Sequence, residues 1–253
     1  MAKLEEIVVF LDSYLDRESV HDYPGAVNGL QVENSGMITR VVAAVDASLA
    51  VIEEAASVSG TLLVVHHGMF WQGVQTITGP VRRKIKAALD GDLALYSSHL
   101  PLDAHWECGN NILLAKALGL REIEPLPLDK KSGASLGLIG SWHGKRPDFL
   151  KTVAVAVGTP VHHCPGGPEQ IARVAVMTGG AGSEVAAMSA VGADTFVTGE
   201  GPHWSYGLAE ELGMNLIYAG HYATETFGVR ALAARIAAEF GLASGFIDRP
   251  SGL

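Results

Sequence analysis

Tyr96-Ser97-Ser98-His99-Leu100-Pro101-Leu102-Asp103 and Tyr218-Ala219-Gly220-His221-Tyr222-Ala223-Thr224-Glu225 are one pattern written twice. Each has a tyrosine, two small residues, a histidine, and a carboxylate four residues after it. The offset is 122 residues, and it persists where Leu118-Gly119-Leu120 answers Phe240-Gly241-Leu242. Upstream, an offset of 133 aligns Val41-Val42-Ala43-Ala44-Val45-Asp46 with Val174-Ala175-Val176-Met177-Thr178-Gly179. It runs without a gap to Val64-Val65-His66-His67-Gly68 against Val197-Thr198-Gly199-Glu200-Gly201. The first copy therefore carries eleven more residues between its two blocks. Self-similarity on this scale sets the architecture before any local signal does, and two long copies do not make a solenoid. The expectation is α/β: two related three-layer α/β halves, duplicated, facing each other across a site at their strand ends.

Local patterns agree. Apolar runs of about this length, bounded by glycine or polar residues, read as strands at 41–45, 61–66, 92–97, 135–141, 173–178, 194–198 and 214–219. Residues 61–66 carry the unbroken apolar run Leu62 to Val65, as in a strand covered on both faces. Helices are expected at 3–16, 81–90, 148–157, 184–191, 205–213 and 226–241, and Ser48 is placed to cap another. Asn28-Gly29-Leu30-Gln31-Val32-Glu33 suggests a turn entering a short strand, either an ordinary turn or one that lines a site. Pro125 to Gly133 has a linker's composition. The halves are expected at 1–126 and 127–253, with the last strand and helix of the second packing on the first.

With 48% hydrophobic and 18% charged residues, the 253-residue chain is globular rather than disordered. A net charge of −9 argues against a broad nucleic-acid or anionic-membrane surface. Cys108 and Cys164 form no disulfide framework and suit a reducing compartment. The N-terminus lacks a signal peptide's layout, and the expected location is cytoplasmic.

The repeat brings chemistry with it. Matched strand ends carry His66, His67, His99 and Asp103 in one half, and Glu200, His221 and Glu225 in the other. Imidazole and carboxylate at short spacing suit a divalent metal. Successive strand side chains point opposite ways, so His66 and His67 are expected to serve two ions better than one, unless the chain turns there. His162-His163-Cys164 offers good zinc donors but has no repeat partner, so it reads as a strand end or loop. Gly179-Gly180-Ala181-Gly182-Ser183 before a helix is a weak phosphate signal, lacking the ending of a P-loop. Arg82, Arg83, Lys84 and Lys86 read as a solvated helix face.

Four blocks carry a resemblance: His66-His67-Gly68-Met69-Phe70-Trp71, His99 to Asp103, Thr198-Gly199-Glu200, and Gly220-His221-Tyr222-Ala223-Thr224-Glu225. Together they resemble the Nif-three-like family of dinuclear metal centre hexameric proteins, many labelled GTP cyclohydrolase type 2 homologues. Asn28 to Glu33 is similar to a further family block, with about two more residues between it and Asp22-Tyr23. The resemblance covers nearly the whole chain. It implies two divalent ions per chain held by His66, His67, Asp103, His221 and Glu225, and a toroidal homohexamer of two-domain protomers. A mixed His/carboxylate set tolerates Zn, Fe, Mn, Co or Ni.

Five ligands shared by two ions leave open positions for water, the mark of a catalytic site. Glu225 has two oxygens and could bridge. Water between two cations loses a proton near neutral pH and becomes a nucleophile. His99 and Glu200, repeat-related but outside the ligand set, are candidates for orientation or proton transfer. Two classes of function follow. One is a metal-dependent hydrolase acting on a small molecule, with the imidazole ring of a purine nucleotide as the attacked group. The other is a non-catalytic metal-binding ring serving as scaffold, metal store or regulatory partner.

Overall fold

The computed structural model describes residues 1–71, 75–127 and 135–252. Part of the expected linker, 128–133, and part of the expected loop after Trp71, 72–74, lie outside them. The chain falls into two compact units. One takes Met1–Leu102 and Gly228–Arg249, and the other chiefly the described residues between Asp103 and Phe227.

The first unit opens with β1 (Ala2–Lys3), α1 (Leu4–Tyr14), β2 (Gly29–Val32) and β3 (Met37–Ile38), β1 pairing antiparallel with β3. The βαβαβ run follows: β4 (Arg40–Asp46), α2 (Leu49–Ala56), β5 (Thr61–His67), α3 (Gly79–Asp90) and β6 (Ala94–Ser97), then the short α4 (Leu100–Ala104). Ser48 Oγ accepts the Val51 N–H at 3.3 Å and caps α2, satisfying a donor that a helix start leaves open. β4, β5 and β6 are parallel, and β2 closes the far edge antiparallel to β6. Leu62, Leu63, Val64 and Val65 are all fully buried, as a doubly covered parallel strand requires. Val42, Ala44, Leu63 and Val65 pack with Val51, Ile52 and Ala55 of α2 and Ala88 of α3. Their neighbours Val41, Ala43, Leu62 and Val64 are buried on the opposite face. Tyr96 donates from its hydroxyl to Asp12 of α1 at 2.8 Å.

The second unit holds α5 (Asn110–Ala117), β7 (Arg121–Pro125), β8 (Leu138–Lys145), α6 (Arg146–Val157), β9 (His162–Pro165), β10 (Gln170–Met177), α7 (Val185–Ala190), β11 (Thr195–Thr198), α8 (Trp204–Glu211), β12 (Asn215–Tyr218) and α9 (His221–Thr224). Its sheet order is β7-β8-β10-β11-β12-β9. Alternate strand residues divide between two cores. Val174, Val176, Val197 and Ile217 pack with Leu114, Phe149 and Val153. Ala175, Phe196 and Leu216 pack with Val185, Met188 and Ala209. This period of two makes the unit three layers, helix, sheet and helix.

The duplication is visible in the topology. β4-β5-β6 and β10-β11-β12 are the same parallel run, and each ends against an antiparallel strand, β2 or β9, that precedes it in sequence. Val41 pairs with Leu62 as Val174 pairs with Thr195, both partners shifted by 133. α10 (Thr226–Phe240) and β13 (Ala243–Phe246) complete the chain. β13 lies parallel to β4 in the first unit's sheet, while β7, 122 residues earlier, lies in the second unit's. Neither strand was expected from the sequence. No helix among the described residues is long and apolar enough to cross a membrane.

Candidate metal centre

Within the first unit, β5 and β6 deliver three histidines to one strand-end edge. The rings of His66 and His67 lie 4.7 Å apart, His66 and His99 4.8 Å, and His67 and His99 5.7 Å. One ligand atom of each lies within 4.8 Å of the others. His66 and His67 both stand at the end of β5, where His67 pairs with Asp46 of β4. His66 is fully buried and donates from Nδ1 to the Ser98 carbonyl at 3.0 Å. His67 donates from Nδ1 to Asp46 Oδ1 at 2.8 Å. His99 donates from Nδ1 to Asp22 Oδ1 at 2.9 Å. Asn28 accepts the His99 N–H and donates to Asp22, both at 2.8 Å, so the segment at Asn28 is more than an ordinary turn: it holds the groups around His99. Burial pushes the Asp22 carboxyl up, but His99, Asn28 and the Tyr23 N–H outweigh it and hold it at about 2.

Within the second unit, β12 ends at Tyr218, and after Gly220 the chain brings in His221 and Glu225 through α9. His221 Nε2 lies 3.2 Å from Glu225 Oε1, and its Nδ1 meets Glu200 Oε1 at 2.8 Å. The Glu225 side chain, only 3% exposed, raises His221 to about 9 against the opposing effect of burial, and Glu200 adds to the rise. A Cβ on Gly179 would stand 2.4 Å from Glu225 Oε1, and one on Gly199 would stand 2.7 Å from His221 Cα. Glycine at both positions is what admits the pair. Gly179 occupies the place that Asp46 holds in the first copy. Asp103 accepts at Oδ1 from Asn110 Nδ2 at 2.8 Å, and Asn111 holds its carbonyl at 3.0 Å.

The repeat is one residue out of step here. Val65 pairs with Ser97, and its equivalent Thr198 pairs with Tyr218. His99 lies two positions after Ser97, whereas His221 lies three after Tyr218. The extra residue is absorbed around Gly220, whose φ of +90° suits glycine.

The glycine-rich turn and the His-His-Cys run are both accounted for by packing. Three N–H groups of the Gly179 turn are used inside the protein: Gly179 donates to Thr224 Oγ1 at 3.1 Å, Ala181 to Thr198 Oγ1 at 3.2 Å, and Gly182 to the Glu200 carbonyl at 2.9 Å. The turn packs against the carboxylate of Glu225. His162-His163-Cys164 is strand β9, not loop. Cys164 is buried, and its thiol is directed at the Tyr206 carbonyl. His162 stacks on Tyr218 with ring centres 6.2 Å apart. Asp22 and Asp46 were missed as ring-orienting carboxylates. Asp46 had a signal, since it ends the strand beside β5 and is paired with His67. Asp22 lies 77 residues from its histidine, and nothing local marks it.

Fold and site together define a duplicated α/β protein whose strand ends carry histidine and carboxylate groups able to hold metal ions. The chain belongs to the Duf34/NIF3 (NGG1p interacting factor 3) family, whose profile matches residues 2–250. It is 40% identical over 252 residues to a Deinococcus radiodurans protein named GTP cyclohydrolase 1 type 2 homolog, covering 98% of this chain and 94% of that one. A Pyrococcus abyssi protein of the same name is 41% identical over 253 residues, covering 98% and 99%. Among solved structures, TTHA1606 from Thermus thermophilus superposes with a TM-score of 0.89 at 38% identity, over all of both chains. A protein titled ybgI, of unknown function, does so at 0.91 and 34%, also over all of both.

Proposed function

We propose that this chain binds two divalent metal ions through His66, His67, Asp103, His221 and Glu225, and acts as a metal-dependent hydrolase on the imidazole ring of a purine nucleotide. The observation that supports it most is the shared anchoring of His66, His67 and His221. Each has Nδ1 held by an oxygen at 2.8–3.0 Å, the arrangement that orients ligating imidazoles. Imidazole nitrogen and carboxylate oxygen suit Zn, Fe, Mn, Co or Ni, and the name of the relatives points to the same substrate class. When bound, such ions polarise a substrate oxygen and lower the pKa of water. Glu200 holds the His221 ring and, half-exposed, is placed to accept a proton from solvent or substrate. The oligomer proposed is a toroidal homohexamer, in keeping with the resemblance.

A second reading has an observation of its own. The glycine turn is filled by the Glu225 carboxylate, which repels a triphosphate there and favours a non-catalytic metal-binding ring. Incubating metal-loaded protein with GTP and other purine nucleotides separates the two. Ring opening that a chelator abolishes supports the hydrolase, and intact nucleotides throughout support the ring.

A further inference from the structure

The edge of the first unit that carries its histidines has an aromatic rim, which metal binding does not account for. Two loops build it: residues 22–28 ahead of β2, and residues 68–71 after β5. Tyr23 is 63% exposed, yet its ring stands 5.8 Å from the His99 ring, tilted by 38°. Trp71 stands edge-on to His99 at 4.8 Å and lies 5.6 Å from His67.

Both loops are fixed. The Val27 N–H donates to the Phe70 carbonyl at 3.1 Å. Gln31 accepts the Met69 N–H and donates to the Val27 carbonyl, both at 2.7 Å. Trp71 donates from Nε1 to the Gly68 carbonyl at 2.9 Å, which sets its ring plane. The Tyr23 N–H donates to Asp22 Oδ1 at 2.7 Å, and the Tyr23 carbonyl accepts from the Ala26 N–H at 2.9 Å. Pro24 and Gly25, with φ of +94° at the glycine, suit the two central positions of a type II turn. This bonding adds nothing to a core. It settles where an exposed ring stands, and a ring ordered in advance costs less to bind against.

Aromatic rings meet offset-stacked or edge-to-face with centres about 4.5–7 Å apart. The exposed Tyr23 ring therefore has surface to offer a further flat ring beside His99, and every nucleobase has a π face that can stack. Asp22, ionised next to Tyr23, opposes a phosphate group at the same place. Recognition here falls on the base.

We propose that Tyr23 and Trp71 form a base-stacking subsite in the first unit, which takes the uncharged heteroaromatic ring of a purine nucleoside beside the histidine edge. The proposal rests on the hydrolase reading above and names how its substrate is held. The metal ligands stay as they are, and guanosine should bind about as tightly as GTP.

The test is NMR titration of zinc-loaded, full-length protein with guanosine and with GTP, following ligand affinity and the base H8 signal. Tyr23→Phe should bind guanosine as wild type does. Tyr23→Leu keeps apolar bulk without the π face, so it should weaken binding by about tenfold and remove the ring-current shift of H8, with zinc content unchanged. Trp71→Leu should weaken binding in the same direction. Wild-type affinity for guanosine in both leucine variants would overturn the proposal and leave the hydrolase reading standing. So would a wild type that binds GTP but not guanosine, since recognition would then lie with the phosphates. A Tyr23→Leu protein of altered oligomeric size would assign Tyr23 to an interface between copies and also overturn it. Wild type that binds neither ligand would remove both readings. If Trp71→Leu does not fold, Tyr23→Leu decides alone.

Discussion

His221 and Glu225 meet one helical turn apart, Nε2 to Oε1 at 3.2 Å, with the carboxylate almost wholly buried. In the metal-free protein this is an ion pair, because the Glu225 carboxylate holds the imidazolium up to about 9. Glu225→Gln keeps the size and removes the charge. It should drop the His221 pKa toward its ordinary value of 6.5 and weaken metal binding more than tenfold, since an amide nitrogen has no lone pair to give. NMR titration of His221 and chelator competition would check both.

Metal binding should also release protons. A ligand must bind as neutral imidazole, yet His221 is charged below about pH 9. Loading at pH 7–8 should therefore release about one proton per chain from this group, measurable with a pH indicator. Apparent affinity should fall as pH is lowered. In the metal-free protein the sign for stability is the reverse. The folded pKa is raised, so this stabilisation is complete below 6.5 and is lost as pH rises through about 9.

Asp22 gives the opposite acid-side signature. Its folded pKa is lowered from 3.8 to about 2, so its stabilisation is present above 3.8 and disappears as pH falls toward 2. Asp22→Asn should cost about 2 kcal/mol near pH 7 and flatten the acid limb of a denaturation series run between pH 2 and 5.

Gly179→Ala tests the cradle around Glu225. The new Cβ would meet Glu225 Oε1 at 2.4 Å, on a backbone with φ of +70°. Strain of about 1–2 kcal/mol is expected from the left-handed conformation alone, with metal affinity lowered as the carboxylate is displaced. Gly192→Ala makes a suitable control, having a similar φ of +82° but open space at Cβ. It should show the strain without the metal effect.

Changing His162, His163 and Cys164 together to Ala should leave metal content unaltered. Successive residues of β9 face opposite sides, Cys164 is directed at Tyr206, and His162 lies on Tyr218. Elemental analysis of the folded variant checks this.

The repeat made most of the fold legible in the sequence, because buried parallel strands write themselves as unbroken apolar runs such as Leu62 to Val65. β7 and β13 escaped for the complementary reason. Arg121–Pro125 and Ala243–Phe246 are largely exposed edge strands with no apolar period to read. They sit 122 residues apart, so the offset that matched His99 to His221 could have found one from the other. His66, His67 and His221 were marked by strand ends. The carboxylates that aim them were harder to find: Asp46 is a cross-strand neighbour, and Asp22 reaches His99 only through tertiary packing.

Counting metal in protein purified without chelator tests two-ion binding most directly. Elemental analysis, repeated after adding Zn²⁺, Mn²⁺, Fe²⁺, Co²⁺ or Ni²⁺ and removing the excess, should approach about two equivalents per chain for at least one ion. A reproducible value of one, or of none, that no added ion raises would contradict it.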